Sequence, residues 1–489
     1  MGSCASAEER FGRPFSNHPV PAESLGAFRL LFGLVMFVGL VRYVARGWVE
    51  IVLVRPTFFF KYPGFEWLPV FEPLGLYAVF GITAMAALAI ALGVAYRWSV
   101  AIFFTGFTYI QLTDVTNYLN HYYLVVLVAA LLFFLPADRA LSVRSRSRGR
   151  RTVPRWSVDL LRFQVGVVYV YAALAKLGTD WLVYGQPLNL WMTALNELPL
   201  VGPWIGEPWV AVAMSWIGLS YDASVVPLLL WKRTRALAYA AVVVFHGFTW
   251  LFFDIGMFPF IMVAATTIFF EPDWPGSDIA GKTLGLVGVG RIGRSMARMA
   301  GAGFGARVLG HNAPVPPVRA ERSDRFRLEG PAARALLAAY LVVQVALPAR
   351  HWLYPGDVLW NEEGMRFSWK VMVREKNGAV TYRVVDPSSG RRWFVSPHEY
   401  LDWRQASEMS AQPDLILQLA QHIGWDFRKR GVDGARVYVD ALVSLNGRPP
   451  QLMIDPSVDL MEVHGGIASA TWILPGPRGA PPTIRVATD

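Results

Sequence analysis

Apolar residues gather in long runs over the first 272 positions of the chain and thin sharply after position 350. Runs near the roughly 20 residues that a bilayer requires lie at about 25–41, 74–95, 98–115, 121–137, 158–177, 208–230, 236–253, 255–270 and 332–349. This pattern predicts about nine membrane-spanning helices. The stretch 236–270 also admits one bent span and a re-entrant piece, broken near Gly256 and Pro259. Segment 50–72 is interrupted by Pro56, Pro63 and Pro69, and its aromatic residues suit a loop at the membrane interface. From 351 the pattern changes to short alternating stretches, AVTYRVVD, RRWFVS and ARVYVDALVSL, separated by turn residues. Between them QPDLILQLAQHIGWDF has the period of an amphipathic helix.

The fold class expected is a multi-pass α-helical membrane protein followed by a small α+β extracytoplasmic domain. Its parts are an N-terminal segment (1–23), a helical domain (24–272), an insert (273–317), a linker with the last span (318–350), the α+β domain (351–465) and a flexible Pro/Gly-rich tail (466–489).

Composition narrows the picture. With 54% apolar and 17% charged residues among 489, a disordered chain is excluded. The one cysteine, Cys4, excludes an internal disulfide framework and a cysteine-based zinc site. The excess of 46 basic over 36 acidic residues falls largely in short loops, which reads as cytoplasmic retention and not as nucleic-acid binding. The loop 138–156 holds Arg139, Arg144, Arg146, Arg148, Arg150, Arg151 and Arg155. Arg97 and the group Lys232, Arg233 and Arg235 fall on the same side, whereas 178–207 has Asp180, Glu197 and Glu207 and no basic residue. Arg42 and Arg46 run against this count. It places the N-terminus in the cytoplasm and everything after 350 outside, in a multi-pass protein of the cell membrane. Residues 1–23 are polar, with no apolar core of a cleavable signal peptide. The start MGSCAS fits the short myristoylation pattern, with Cys4 available for palmitoylation, and is read as coincidence.

Ionisable residues at membrane depth are costly and are functional candidates by default. Lys176, His121, His246, Asp254 and His351 are all placed towards the outer rim by this topology. A lysine in an apolar pocket serves as a general base or forms a Schiff base with a carbonyl, and residue types leave both open. Asp440, Asn446, Asp455 and Asp459 match no calcium-loop spacing and read as strand and turn residues, so no metal site is expected.

Five ordered motifs, LTDVTNYLNHYYL, YAALAKLGTDWLVYGQPL, FHGFTWLFFDIGMFPFIM, RHWLYPGDVLWNEEGMRFSWKVMV and VYVDALVSLNGRPPQLMIDPSVDL, resemble the vitamin K-dependent gamma-carboxylase family, including its bacterial membrane homologues. The resemblance covers roughly 20–272 and 330–465. It places the family's catalytic lysine on Lys176 and its Asn-His pair on Asn120 and His121, with His246 and His351 on further motif histidines. Ala175 and Gly178 depart from the family pattern. The implied reaction deprotonates a reduced naphthoquinone (reduced vitamin K), adds dioxygen, and uses the resulting alkoxide to take a proton from the γ-carbon of a glutamyl residue. The carbanion then captures carbon dioxide, and the quinol leaves as its epoxide. By this resemblance Lys176 and His121 are catalytic, and Asn120, His246, Asp254 and His351 bind substrate. The implied partners are a lipid-soluble quinol, membrane lipids and a glutamate-containing protein or peptide. The alternatives are a quinol epoxidase without carboxylation, and a membrane transporter or partner-binding protein without catalysis.

Residues 276–312 read strand, Gly288-x-Gly290-x-x-Gly293, helix, strand, and resemble part of the NAD-binding fold of D-2-hydroxyacid dehydrogenases. The second mononucleotide-binding half and the ribose-binding acid are absent, so the insert is expected not to function and NAD is not an expected cofactor.

Overall fold

A computed structural model of the chain describes residues 14–145, 152–197, 202–253, 255–271, 330–466 and 468–483. The apolar runs form α1 (Glu23–Ala45), α2 (Pro73–Leu92), α3 (Tyr96–Leu112), α4 (Asn120–Phe134), α5 (Arg155–Ala175), α6 (Pro208–Leu230), α7 (Arg235–Phe252), α8 (Phe258–Thr266) and α9 (Pro331–Ala349). A helix satisfies its own backbone polar groups, which is what an apolar segment in lipid requires. Among the described residues six of these, α1, α2, α5, α6, α7 and α9, are long and apolar enough to cross a membrane. The other three predicted runs fall on helices of 17, 15 and 9 residues, α3, α4 and α8. The stretch 236–270 is a hairpin and not one bent span. Gly256 turns the chain at φ 61°, and the Tyr239 hydroxyl reaches the Val263 carbonyl across the pair.

Close helix approach depends on small residues. A Cβ at Gly33 of α1 would lie 2.5 Å from the Ala91 amide and 2.6 Å from the Ala87 carbonyl of α2. Arg29, one turn earlier and fully buried, donates to the carbonyls of Ile90, Ala91, Ala137 and Leu141. It thereby closes the ends of α2 and of the chain that follows α4. Arg97, Arg155, Arg162, Lys232 and Arg235 lie at this same end, where Arg162 meets the Ile268 carbonyl and Lys232 pairs with Glu271 at 2.9 Å. Arg42 and Arg46 lie at the opposite end, packed on the Trp48 ring at 5.1 and 5.4 Å.

That opposite end carries the C-terminal domain. Its antiparallel sheet comprises β1 (Lys376–Val385), β2 (Arg392–Val395), β3 (Arg436–Leu445) and β4 (Gln451–Leu452), in the order β2-β1-β3-β4. Alternation in β3 buries Val437, Val439, Ala441, Val443 and Leu445. Two helices, α10 (Trp403–Ser410) and α11 (Pro413–Lys429), complete the core through Met409, Leu415, Ile416, Leu419 and Ile423. Asn446 and Gly447, at φ 51° and 78°, turn β3 towards β4, the conformation that favours an Asn-Gly pair. Asp455 and Asp459 cap turns, accepting from the amides of Ser457 and of Val437 and Met461.

Two segments differ from the sequence expectation. The proline-broken loop 50–72 does more than lie at an interface, because Phe60 and Tyr62 enter the core of the C-terminal domain, and the Lys61 amide donates to the side-chain carbonyl of Gln418 while the Lys61 carbonyl accepts from its side-chain NH₂. The tail, expected to be flexible from 466, packs through 483. Its carbonyls at Leu474, Gly479 and Pro482 accept from Trp360, Arg448 and Gln186, so an irregular proline-rich segment is held by donors on the side chains around it.

Candidate active site beneath the C-terminal domain

α5 ends at Ala175, and Lys176 caps it with its amide still bonded to the last turn. The side chain turns inward and is buried. Its Nζ donates to Asp222 Oδ2 at 2.8 Å and to the Ala172 carbonyl at 3.2 Å, and lies 5.2 Å from the centre of the Trp181 ring. Asp222 is buried in the middle of α6. One turn before it, Gly218 makes room for Trp181, whose indole donates to the Ser215 carbonyl at 2.7 Å. An ammonium has three N–H groups, so one remains for a ligand.

The pair lines a mainly apolar cavity of about 80 Å³, several times what a single water needs. His246 of α7 lines it too. Its Nε2 lies 3.3 Å from the Tyr169 hydroxyl, which is 3.3 Å from that of Tyr221. Its Nδ1 is buried and has no protein partner. The remaining wall comes from the C-terminal domain, as Val371 and Met372. They sit in a contorted segment, with Phe367, Trp369 and Met372 at φ 63°, 57° and 56°. Such left-handed non-glycine residues persist only where packing over-determines them. Trp369 is fully buried and stacks on Tyr123 of α4 at 5.0 Å.

Of the residues predicted from sequence, Lys176 and His246 share this cavity. His121 is adjacent without lining it: Phe258 lies between, 5.7 Å from the His121 ring and 5.3 Å from the His246 ring. His121 Nε2 is also buried without a protein partner. Asn120 is engaged elsewhere, donating to the Lys370 carbonyl and accepting from the Tyr118 hydroxyl. His351 is held by the Pro348 carbonyl at 2.8 Å, with Gly364 against its backbone, where a Cβ would come within 2.8 Å. Asp254 and Gly288, Gly290 and Gly293 lie outside the described residues. Asp222, Tyr169 and Trp181 were missed. Asp222 had a signal, as the one acidic residue in the run 208–230.

A second polar junction ties this site to the domain. Asp180 receives both guanidinium nitrogens of Arg448, at 2.6 and 2.7 Å, and the Asn446 amide at 2.8 Å. Burial opposes the charged form of Asp180, but these hydrogen bonds prevail and hold its carboxyl below the usual range. A depressed folded-state pKa contributes stability above the unfolded value, near 4, which is lost as pH falls through the folded value. Acidification from about pH 5 to 3 is therefore expected to lower the unfolding midpoint less in Asp180→Asn than in the parent. Equal slopes in the two proteins would remove the junction from the account.

Residues 17–274 match the family model for the HTTM domain, and residues 330–478 that for the vitamin K-dependent gamma-carboxylase lumenal domain. Residues 263–351 match the NAD-binding domain of D-isomer specific 2-hydroxyacid dehydrogenases. The two edges of that last match fall on α8 and α9, which are apolar helices. Similar curated proteins are glyoxylate/hydroxypyruvate reductase B of Klebsiella pneumoniae (strain 342), 51% identical over 55 residues, or 11% of this chain and 16% of that protein, and of Enterobacter sp. (strain 638), 55% identical over 38 residues, or 8% and 12%. The chain thus spans about a sixth or less of the curated relatives it matches. No solved structure matches the chain.

Proposed function

The chain belongs to the HTTM-domain family and carries a gamma-carboxylase lumenal domain, and from that premise we propose that it oxygenates a reduced naphthoquinone at Lys176 and carboxylates glutamyl residues. The observation that supports this best is the buried Lys176–Asp222 pair, lining an apolar cavity with His246. When bound, the reduced quinone with dioxygen supplies the strong base that takes the glutamyl γ-proton before carbon dioxide is captured. The residues present suit such a guest. The unused N–H of Lys176 and Nδ1 of His246 are polar groups for its oxygens, and the apolar walls suit its rings. Once its own proton has passed to Asp222, the neutral Lys176 amine accepts the quinol proton, and Asp222 also holds the lysine in place. The wall from the C-terminal domain keeps water from the base. His121 supports the site through Phe258, and Asn120 holds the domain loop over it. In this reading the arginine-rich end of the bundle faces the cytoplasm and the C-terminal domain lies outside.

The test supplies purified protein with reduced vitamin K, dioxygen, labelled bicarbonate and a glutamate-containing peptide. Epoxide together with fixed label is expected. Epoxide without label would reduce the reading to a quinol epoxidase, and neither product from folded protein would end it. The nucleotide-like insert is assigned no part in this chemistry. A chain lacking 276–312 is expected to form epoxide at the parental rate within about twofold, the small change usual for alterations remote from a site. A loss of tenfold or more with unchanged folding would give the insert a role.

A further inference from the structure

The short helix α8 is a partition one helix thick. Phe258 and Met262, one turn apart, line the Lys176 cavity, whereas Ile261 and Ala265, also one turn apart, line a second cavity on its other side. Phe32 of α1 and Val125 of α4 stand in the facing walls of this second space, whose volume is about 20 Å³. Val35 and Met36 of α1 line both it and a third cavity, of about 40 Å³, nearer the C-terminal domain. The three spaces follow one another through the bundle, with side chains of α1 between the outer two and α8 between the inner two. The partition ends at the start of α8, where the His121 ring, one turn before Val125 on α4, lies 5.7 Å from that of Phe258.

Among the described residues every side chain in the wall of the second cavity is apolar. Its volume of about 20 Å³ exceeds the roughly 10–15 Å³ that a water requires, but a buried water also needs about two to four polar partners. Water therefore finds nothing to bond there. The space suits a molecule held by dispersion alone and little longer than water, which describes a diatomic gas. Carbon dioxide is longer, and the partial charges on its oxygens would meet no donor in this wall.

We infer that the apolar cavity between α1, α4 and α8 is a dioxygen site, which supplies the Lys176 cavity across α8. The inference rests on the oxygenation proposed above, which consumes dioxygen beside Lys176. Dioxygen is apolar and passes from water into hydrocarbon, so the lipid around the bundle holds a store of it. A dry route through the helices delivers it without admitting water to the base.

The test uses the full chain in lipid nanodiscs, labelled at the isoleucine methyl groups. Relaxation of each methyl signal is compared under pressurised dioxygen, which is paramagnetic, and under nitrogen. Ile217 is 53% exposed and faces lipid, while Ile90 and Ile268 are fully buried and line none of the three cavities. Ile261, although only 6% exposed, is expected to respond as strongly as Ile217 and well above Ile90 and Ile268. Ala265→Val fills the cavity from α8, and Val125→Ile fills it from the opposite wall should the first variant fail to fold. Either is expected to abolish the Ile261 response and to raise KM for dioxygen about threefold or more with kcat unchanged, the mark of lost binding and not of lost chemistry. An Ile261 response no larger than that of Ile90 would overturn the site, whatever the turnover. Loss of the response with an unchanged KM for dioxygen, or a change in KM for the quinol or bicarbonate in its place, would overturn the supply role. A strong Ile261 response in a protein that forms no epoxide would keep the site and remove the reaction, so the two failures are read apart.

Discussion

Lys176→Met should lower epoxide formation by about 10²- to 10⁴-fold, the usual contribution of a positioned general base, and should also destabilise the protein. The second effect arises because the substitution leaves the Asp222 carboxylate buried without its 2.8 Å partner. Removing one member of a buried pair costs about 3–5 kcal/mol, whereas replacing both by apolar residues is often neutral. Lys176→Met/Asp222→Leu should therefore regain most of the lost unfolding midpoint and none of the turnover. Stability and chemistry separate in that comparison. If the double variant recovered epoxide formation along with stability, Lys176 would be a structural residue and the proposed role would be lost.

The largest effect on stability alone is expected at Arg29. It is fully buried and gathers the carbonyls of Ile90, Ala91, Ala137 and Leu141 around one guanidinium. The Ile90 carbonyl also accepts from the Gly93 amide, and each of the other three left unsatisfied costs about 1–3 kcal/mol. Arg29→Met fits the same channel with no donor and should cost at least about 3 kcal/mol, or prevent recovery of folded protein. Arg29→Lys keeps the charge but not the planar fork and should fall between the two. Thermal unfolding in one detergent compares all three. An Arg29→Met protein as stable as the parent would mean that water replaces the guanidinium at these carbonyls.

Hydropathy made the helical unit legible because a membrane span is a matter of local composition. The six long apolar helices coincide with six of the predicted runs. The hairpin of α7 and α8 was harder, since a nine-residue helix is below the length that signals a span and the turn depends on the backbone at Gly256. Lys176 stood out as a cation at the end of an apolar run. Asp222 carried the same kind of signal, yet nothing local says that it faces Lys176, 46 positions away. The grouping of His121 with His246 around Phe258, and the separate engagement of Asn120 and His351, depend likewise on packing between helices. Phe60 and Tyr62 were read by their proline-rich neighbourhood, which reports that the loop is not a helix and is silent about the core it joins.

Val371 and Met372, which finish the wall over Lys176, follow every described membrane helix in the chain. A ribosome therefore delivers both halves of the Lys176–Asp222 pair well before the segment that covers them. Under the proposed function this order of synthesis would act as a safety catch: a nascent or prematurely ended chain would hold Lys176 in an open-sided pocket, and oxygen chemistry would wait until the last domain had folded onto the bundle.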